Sequence, residues 1–295
     1  MKKILFIINP ISGKKRKDFL IEKIRQKFDS EAFNVEVAYT EHAGHGAELA
    51  AAAVLRGTDV VAAVGGDGTI NEVASQLLNT DTTLAIVPLG SGNGLAHHLA
   101  IPQNANKCLQ LIADKCDKPE LVDTCSINDD FFFSIAGVGY DAKVAYDFNH
   151  GNERGFHGYF KYILKDYFNY NYNTYIIDCD GEKIEREAFF ITFANSSQWG
   201  YNVKIQPKAS VQDGLVDVCI AKKPQWFALG DTVASLLMNR IDHRKLIEYK
   251  KCKELVISIK DGQKMFWHVD GDSREPVEKI VIKIIPHSLK VICGD

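Results

Sequence analysis

At 295 residues, with 46% hydrophobic and 25% charged side chains, the chain has ordinary globular composition and is long enough for two modest domains or one large one. Its 35 basic and 38 acidic residues leave a formal charge of −3, which excludes a global field favouring nucleic acid. Seven scattered cysteines, an odd count with no CxxC, fit a reduced cytoplasmic chain. The opening MKKILFIINP sets Lys2 and Lys3 before a short apolar run that Asn9-Pro10 breaks and Lys14-Lys15-Arg16-Lys17 follows. That run is too short for a secretory core or a membrane span and reads as a first buried strand.

Apolar runs at Ile4–Ile8, Val35–Tyr39, Val60–Val64 and Leu84–Val87 are rich in β-branched residues and largely lack alternation, as fully buried parallel strands do. Helical patterns separate them. Phe19, Leu20, Ile24 and Phe28 share a face, Glu48–Leu55 is alanine-rich, and Asn71–Leu78 and Lys107–Ala113 complete the set. The pattern predicts βαβ units and an open parallel sheet, with ligands outside the carboxyl ends of its strands. The chemically suggestive loops all fall at those ends: Asn9-Pro10-Ile11-Ser12-Gly13, Thr40, Gly65-Gly66-Asp67-Gly68-Thr69 and Gly90-Ser91-Gly92-Asn93. Glycine there lets backbone N–H groups approach a phosphate, and the following helix start favours an anion. Asp67 supplies the carboxylate that a phosphate-bound Mg²⁺ needs. Asp67-Gly68 alone also reads as a common turn, but two Gly-rich loops ending neighbouring strands read as two walls of one nucleotide site.

After about Cys125 the grammar changes. Tyr175–Asp178, Glu187–Ala194, Val216–Ala221, Leu255–Lys260, Phe266–Val269 and Ile280–Ile285 are short runs, often alternating, bounded by Asp-Gly pairs at 180–181, 213–214, 261–262 and 270–271. Helices are expected around Gly158–Phe168 and Phe227–Arg240. The second half therefore reads as mainly antiparallel β, with a hinge near residues 118–128 and a cleft between the halves as the default active site.

Read together, the motifs resemble one family. They are Asn9-Pro10-x-Ser12-Gly13, Gly65-Gly66-Asp67-Gly68-Thr69 with Asn71-Glu72, Gly90-Ser91-Gly92-Asn93, and Asn128 through Gly137-Val138-Gly139-Tyr140-Asp141. Pro207-x-Ala209 with Asp213-Gly214-Leu215-Val216-Asp217 and Val269-Asp270-Gly271-Asp272 complete the series. In this order they resemble the diacylglycerol kinase catalytic-domain family of lipid kinases, which includes sphingosine and ceramide kinases, over nearly the whole chain. The resemblance implies an α/β plus mainly β architecture. A phosphofructokinase-like nucleotide domain would span residues 1–124 and an antiparallel β-sandwich lipid domain residues 125–295, with room for the last residues to return to the first domain.

The same resemblance implies an ATP- and Mg²⁺-dependent kinase acting on a hydroxyl of a diacylglycerol-like or sphingoid lipid. By position, Asn9, Pro10, Ser12, Gly13 and Thr40 would hold ATP together with Gly65, Gly66, Asp67, Gly68, Thr69, Asn71 and Glu72 and with Ser91, Gly92 and Asn93. Asp67 would sit with the phosphates and Mg²⁺ and share in activating the nucleophile, and Asp272 would be the general base. Ser210, Asp213 and Leu215 would hold a structural Mg²⁺. Asp123 would lie near the acceptor headgroup, although a junction cap or turn suits it nearly as well. Phosphoryl transfer asks for positioning and charge neutralisation more than covalent chemistry, so glycine cradles, Mg²⁺ and an acid suffice.

One departure stands out. The family usually writes its last motif DGE, and this chain has DGD. Aspartate is one methylene shorter, and a misplacement of about 1 Å costs roughly a hundredfold in rate. Either the backbone moves inward, or Asp67 or Asp270 takes the base role, or catalysis is weak. Gly94 stands where many diacylglycerol kinases place an acid, and GSGNGLA is closer to the sphingosine kinase pattern.

The remaining features are ambiguous. Lys14–Lys17 reads equally as a solvated helix start and as a phosphate or anionic-membrane contact. His97 and His98 read as packing, and His42 and His45 as loop residues. The aromatics from Phe156 to Tyr175, with Lys161 and Lys165 between them, read first as packing of an irregular helix and second as a membrane interface. Expected partners are a lipid with a free hydroxyl and a peripheral membrane surface, with a homodimer left open and nucleic acid excluded. The expected location is cytoplasmic and peripherally membrane-associated. Two other readings stay open: a kinase of a soluble acceptor on the same fold, NAD kinase-like, and a catalytically weak lipid- or nucleotide-binding regulator.

Overall fold

The computed structural model describes residues 1–13, 18–28, 31–151, 161–163, 165, 167–168, 170–200, 203–238 and 246–294. It divides into two units, residues 1–123 with 286–295 and residues 124–285. In the first unit the chain runs β1 (Lys2–Ile8), α1 (Asp18–Lys27), β2 (Phe33–Tyr39), α2 (His45–Leu55), β3 (Val60–Gly65), α3 (Asp67–Leu77), β4 (Thr83–Pro88), α4 (Gly94–His98), α5 (Ala105–Lys115) and then β5 (Glu120–Ile127), which leads into the second unit. The first four strands are parallel in the order β2-β1-β3-β4. Every residue of β3 and β4 is buried, as their unbroken apolar runs require. The expectation that residues 35–39 are fully buried does not hold: β2 closes one edge of the sheet, and its burial alternates between half-buried and exposed. The C-terminal residues return to this unit. Val291 pairs in parallel with Leu84, the Ile292 N–H donates to the Leu84 carbonyl, and the Gly294 N–H donates to that of Leu99.

The second unit runs β6 (Asp130–Phe132), β7 (Ile135–Gly139), α6 (Tyr140–His150), β8 (Asn173–Cys179), β9 (Glu182–Ala188), β10 (Phe190–Ala194), β11 (Gln198–Gly200), β12 (Val203–Lys204), β13 (Val216–Ala221), α7 (Leu229–Leu237), β14 (Ile247–Cys252), β15 (Glu254–Ile259), β16 (Met265–Val269), β17 (Asp272–Val277) and β18 (Lys279–Val291). Six strands pair in the order β14-β13-β10-β7-β16-β17, all antiparallel. A second antiparallel array runs β18-β15-β8-β9. Inward side chains of both arrays, among them Val138, Ile191, Val218, Tyr175, Leu255 and Ile280, form one buried cluster, so the unit is a β-sandwich.

Asp180-Gly181 and Asp270-Gly271 each make a two-residue hairpin turn with positive φ at both positions (52° and 89°; 48° and 92°). The expected single run Glu187–Ala194 is broken at Phe189, whose ring stacks 4.2 Å from Tyr140 in a separate buried cluster with Val144 and Tyr167. Helix α6 was not expected, because Tyr146, Phe148 and the interspersed charges blur its period. The helix expected at Gly158–Phe168 is seen at residues 161–163, 165 and 167; residues 158–160, including Tyr159 and Phe160, lie outside the described residues, as do Phe156 and Lys14–Lys17. Where Phe227–Arg240 was expected, a 3₁₀ turn at Trp226–Ala228 leads into α7, and residues 239–240 are outside the described set. Among the described residues no helix is long and apolar enough to cross a membrane.

Candidate active site

Strand β3 ends at Gly65, and α3 begins at Asp67 with Gly66 as its N-cap, where no side chain caps the first turn. The N–H groups and positive dipole end of this eleven-residue helix therefore face the carboxyl edge of the sheet. Neighbouring loops crowd in on it. A Cβ on Gly90 would lie 2.5 Å from the Gly66 Cα, and one on Gly13, held at φ 71°, would lie 2.7 Å from the Leu89 carbonyl oxygen. The Leu89 and Gly90 N–H groups donate to the Gly65 carbonyl at 2.7 and 3.3 Å. Asn9 ties the first loop to the same place: its Nδ2 donates to Thr69 Oγ1 at 3.0 Å while its Oδ1 accepts the Ile11 N–H at 3.0 Å.

Asp67 joins the two Gly-rich loops. Its Oδ2 accepts the Asn93 N–H at 2.8 Å and its Oδ1 the Gly94 N–H at 2.9 Å. A Cβ on Gly92 would come within 2.7 Å of Oδ2. Asn93, itself buried at φ 50°, donates from Nδ2 to the Gly90 carbonyl and to Gln103 Oε1, both at 2.9 Å, and its Oδ1 is buried with no hydrogen-bond partner. Because a carboxylate oxygen accepts more than one bond, the loop orients Asp67 and leaves it able to take a metal. A helix start without a side-chain cap, backbone approaches that a Cβ would fill and an aimed carboxylate fit a nucleotide's phosphates and their Mg²⁺.

The other expected residues take different positions. Glu72 reaches from α3 to the start of α2, where its two oxygens accept the Gly44 and Gly46 N–H groups at 2.8 and 3.0 Å. Thr40 is buried, with its N–H on the Ile8 carbonyl at 3.0 Å. Pro10 and Ser91 are exposed, and Ser12, Gly68 and Asn71 are half-buried. Asp123 is buried, and its Oδ1 accepts the His287 N–H at 2.8 Å, which ties β5 to the C-terminal residues.

In the second unit, the Asp270-Gly271 turn carries two carboxylates with opposite fates. Oδ1 of Asp270 accepts the Ser134 and Ile135 N–H groups at 2.9 and 3.1 Å, and its Oδ2 accepts that of Phe133 at 3.2 Å. That carboxylate anchors the turn. Asp272 opens β17 opposite Val269 and is exposed. From α6, Asn149 Nδ2 donates to Ser273 Oγ at 3.3 Å and steadies the strand just beyond.

Two arrangements escaped the sequence reading. Beneath α6, Asp141 Oδ2 lies 3.3 Å from His268 Nε2 and accepts from Thr192 Oγ1 at 3.3 Å, all three residues being buried. Gly137 must be glycine here, since a Cβ would stand 2.4 Å from that Oδ2. The only signal was the Gly137-x-Gly139-Tyr140-Asp141 string itself. The second concerns the expected Mg²⁺ set. Oδ1 of Asp213 accepts the Leu215 N–H at 3.2 Å, and its Oδ2 meets Lys251 Nζ at 2.6 Å. Ser210 Oγ accepts the Gln212 N–H at 3.2 Å. Lys251 Nζ also stands 3.3 Å from Oδ2 of the buried Asp217.

Burial pushes the Asp217 carboxyl above its ordinary value, against the pull of Gln206 and Lys251. Burial lowers the Lys251 ammonium, but its hydrogen bond to Asp213 and the two carboxylate charges outweigh that and raise it. A divalent cation at Asp213 would thus share its carboxylate with an ammonium already there. Among the described residues no three His, Cys, Asp or Glu side chains group as a metal site.

Comparison with known proteins matches residues 3–126 to the diacylglycerol kinase catalytic domain and residues 134–293 to the YegS C-terminal NAD kinase beta sandwich-like domain. The chain is similar to the diacylglycerol kinase of Bacillus subtilis (strain 168), 29% identical over 280 residues that cover 92% of this chain and 90% of that one. It is also similar to the diacylglycerol kinase of Mycobacterium tuberculosis (strain ATCC 25618 / H37Rv), 31% identical over 186 residues, 59% and 58% of the two chains. Two crystal structures of Bacillus anthracis str. Sterne proteins, the second described as a diacylglycerol kinase, superpose with TM-scores of 0.81 and 0.75 at 22% and 21% identity, each covering 99% of this chain and 97% of the other. At that identity the superpositions speak for the fold.

Proposed function

The chain belongs to the diacylglycerol kinase catalytic-domain family with a YegS-type C-terminal β-sandwich, and from that premise we propose that it transfers the γ-phosphate of ATP, with Mg²⁺, to a hydroxyl of a diacylglycerol-like or sphingoid lipid. The observation that carries this reading is Asp67, held by the Asn93 and Gly94 N–H groups at the uncapped start of α3. Bound there, Mg²⁺ would neutralise phosphate charge during transfer.

The chain's own residues do the rest. The α3 first turn and the Ser91-Gly92 backbone offer N–H groups to the phosphates, while Asn9 and Thr69 hold the first loop in place. Asp67 would hold the metal. Asp272 accepts the proton of the lipid hydroxyl. That hydroxyl has a very high pKa, so the proton leaves late, as the bond to phosphorus develops. With Asp270 committed to three backbone donors, Asp272 is the exposed acid of the DGD turn. Since the acceptor resides in a bilayer, the enzyme works as a peripheral membrane protein.

The test is incubation of purified protein with γ-labelled ATP, Mg²⁺ and detergent-dispersed diacylglycerol, monoacylglycerol, ceramide or sphingoid base, with Asp67→Ala alongside. A labelled lipid from the wild type, diminished about 10²–10³-fold or more in the variant, is the expected result. Labelling of NAD or another soluble acceptor in place of lipid overturns the substrate class. No product despite measurable ATP binding favours a regulator.

A further inference from the structure

The acid assigned as base sits on an edge strand. β17 pairs with β16 and closes one side of the six-stranded sheet, so a neighbouring strand holds it along one flank. Its register also slips: Trp267 faces Arg274 but Met265 faces Val277, which leaves β17 one residue longer than β16 between those pairs. Pro276, which has no N–H, lies in that bulge, and Trp267 Nε1 donates to the Glu275 carbonyl at 2.8 Å. Nearer the turn the holds come from Arg274. Its Nη1 donates to the Asp272 and Ser273 carbonyls, both at 3.4 Å, and its Nε donates to Asp130 Oδ2 at 2.7 Å. Asp130 opens β6, and just beyond that strand Phe133, Ser134 and Ile135 give their N–H groups to Asp270. The chain is therefore moored on both sides of Asp272 to one segment, residues 130–135.

The shorter an acid's side chain, the more its backbone decides where the carboxylate lies. Aspartate has one rotatable bond fewer than glutamate, so at Asp272 the main chain sets the reach of the acid. A displacement of about 1 Å at a reacting group can cost roughly a hundredfold in rate. The side chains of Arg274 and Asp130 are 31% and 41% exposed, and an ion pair that open adds little to stability. Its geometry is more telling. A planar guanidinium sends several N–H donors in fixed directions, whereas an ammonium is a single point of charge. We propose that Arg274, moored by Asp130, is a positioning residue that fixes the backbone of Asp272 so that its carboxylate meets the acceptor hydroxyl. The inference rests on the lipid-kinase reading and adds to it the side chain that aims its base.

The experiment measures, in the full chain, turnover of detergent-dispersed lipid, ATP affinity and backbone amide exchange. Arg274→Met lowers kcat about tenfold. ATP affinity stays within about twofold of wild type and the melting temperature within about 3 °C. Arg274→Lys keeps a charge for Asp130 but cannot also span the two carbonyls, so its kcat stays about threefold or more below wild type. Asp130→Ala also lowers kcat, and adding it to Arg274→Met costs less than about twofold more, since the two act as a unit. In an Asp272→Asn background, Arg274→Met changes the residual rate by less than about twofold, because the base it aims is gone. Amide exchange across residues 271–275 is about tenfold faster in Arg274→Met. An unchanged kcat in Arg274→Met overturns the proposal. So does an equal fall in both backgrounds, which would make Arg274 a structural residue only. A wild type that labels no lipid overturns the kinase reading instead. Exchange then decides the positioning by itself: faster in Arg274→Met if Arg274 holds the strand, unchanged if it does not.

Discussion

Asp67, Asp270 and Asp272 are three aspartates beside glycines, and only their partners tell them apart. Asp67 and Asp270 receive backbone N–H groups, from two and three residues respectively, whereas Asp272 is exposed at the start of its strand. Asp272→Asn should therefore lower kcat by about 10²–10⁴-fold and leave nucleotide affinity, measured by calorimetry, nearly unchanged. Because Asp270 pins the turn from within, Asp272→Glu adds a methylene to the proposed base and should slow turnover; acceleration would mark a site weakened by its DGD. Lys251 offers a stability test. Lys251→Met strands the buried Asp217 and the part-exposed Asp213, and loss of this part-buried ion cluster should cost about 2–3 kcal/mol in urea unfolding, less than for a fully buried pair. The sign with pH follows from Asp217, whose carboxyl burial already holds above its ordinary value. A carboxyl raised in the fold loses stability as pH rises through its folded value, so the variant should regain stability on acidification. If Mg²⁺ can take the ammonium's place, it will raise the melting temperature of Lys251→Met more than that of the wild type.

The βαβ elements were legible because the central strands β3 and β4 are buried on both faces and the helix between them is short and apolar on one side. Their meeting was not. That Glu72 on α3 would hold the start of α2, or that Gly90 would lie against Gly66, depends on residues brought together by the sheet order. Gly90→Ala tests this at the scale of the two loops. Its Cβ would fall 2.5 Å from a main-chain atom that cannot rotate away. A loss of about 1–3 kcal/mol is expected, together with weaker nucleotide binding. An unchanged melting temperature and unchanged nucleotide affinity would show that the loops are free to part. In the second unit, the Asp-Gly pairs announced two hairpin turns, because positive φ at both positions selects that dipeptide. Helix α6 gave no such signal, since charges interrupt its apolar period and one of its buried residues, Asp141, is polar and meets His268 and Thr192.

At the scale of the whole molecule, the last residues of the chain complete the first unit. Leu289, Val291 and Ile292 are buried, Val291 pairs with Leu84, and the Asn79 N–H donates to the Ser288 carbonyl at 2.7 Å. Deleting residues 286–295 should therefore unfold the nucleotide-binding unit, read as lost nucleotide binding and rapid proteolysis within residues 1–123. A truncated protein that still binds ATP would refute this. The sequence by itself determined the family, the parallel and antiparallel halves, and the loops that carry glycine and acid. Those are local properties, set by side-chain period and by the backbone freedom that particular turns demand. Only the tertiary structure decided which acid anchors and which is exposed, that Lys251 faces Asp213 and Asp217, and that the Tyr167 hydroxyl meets the Pro224 carbonyl. Each of these depends on contacts between residues far apart in the chain, and no spacing along a single sequence records such contacts.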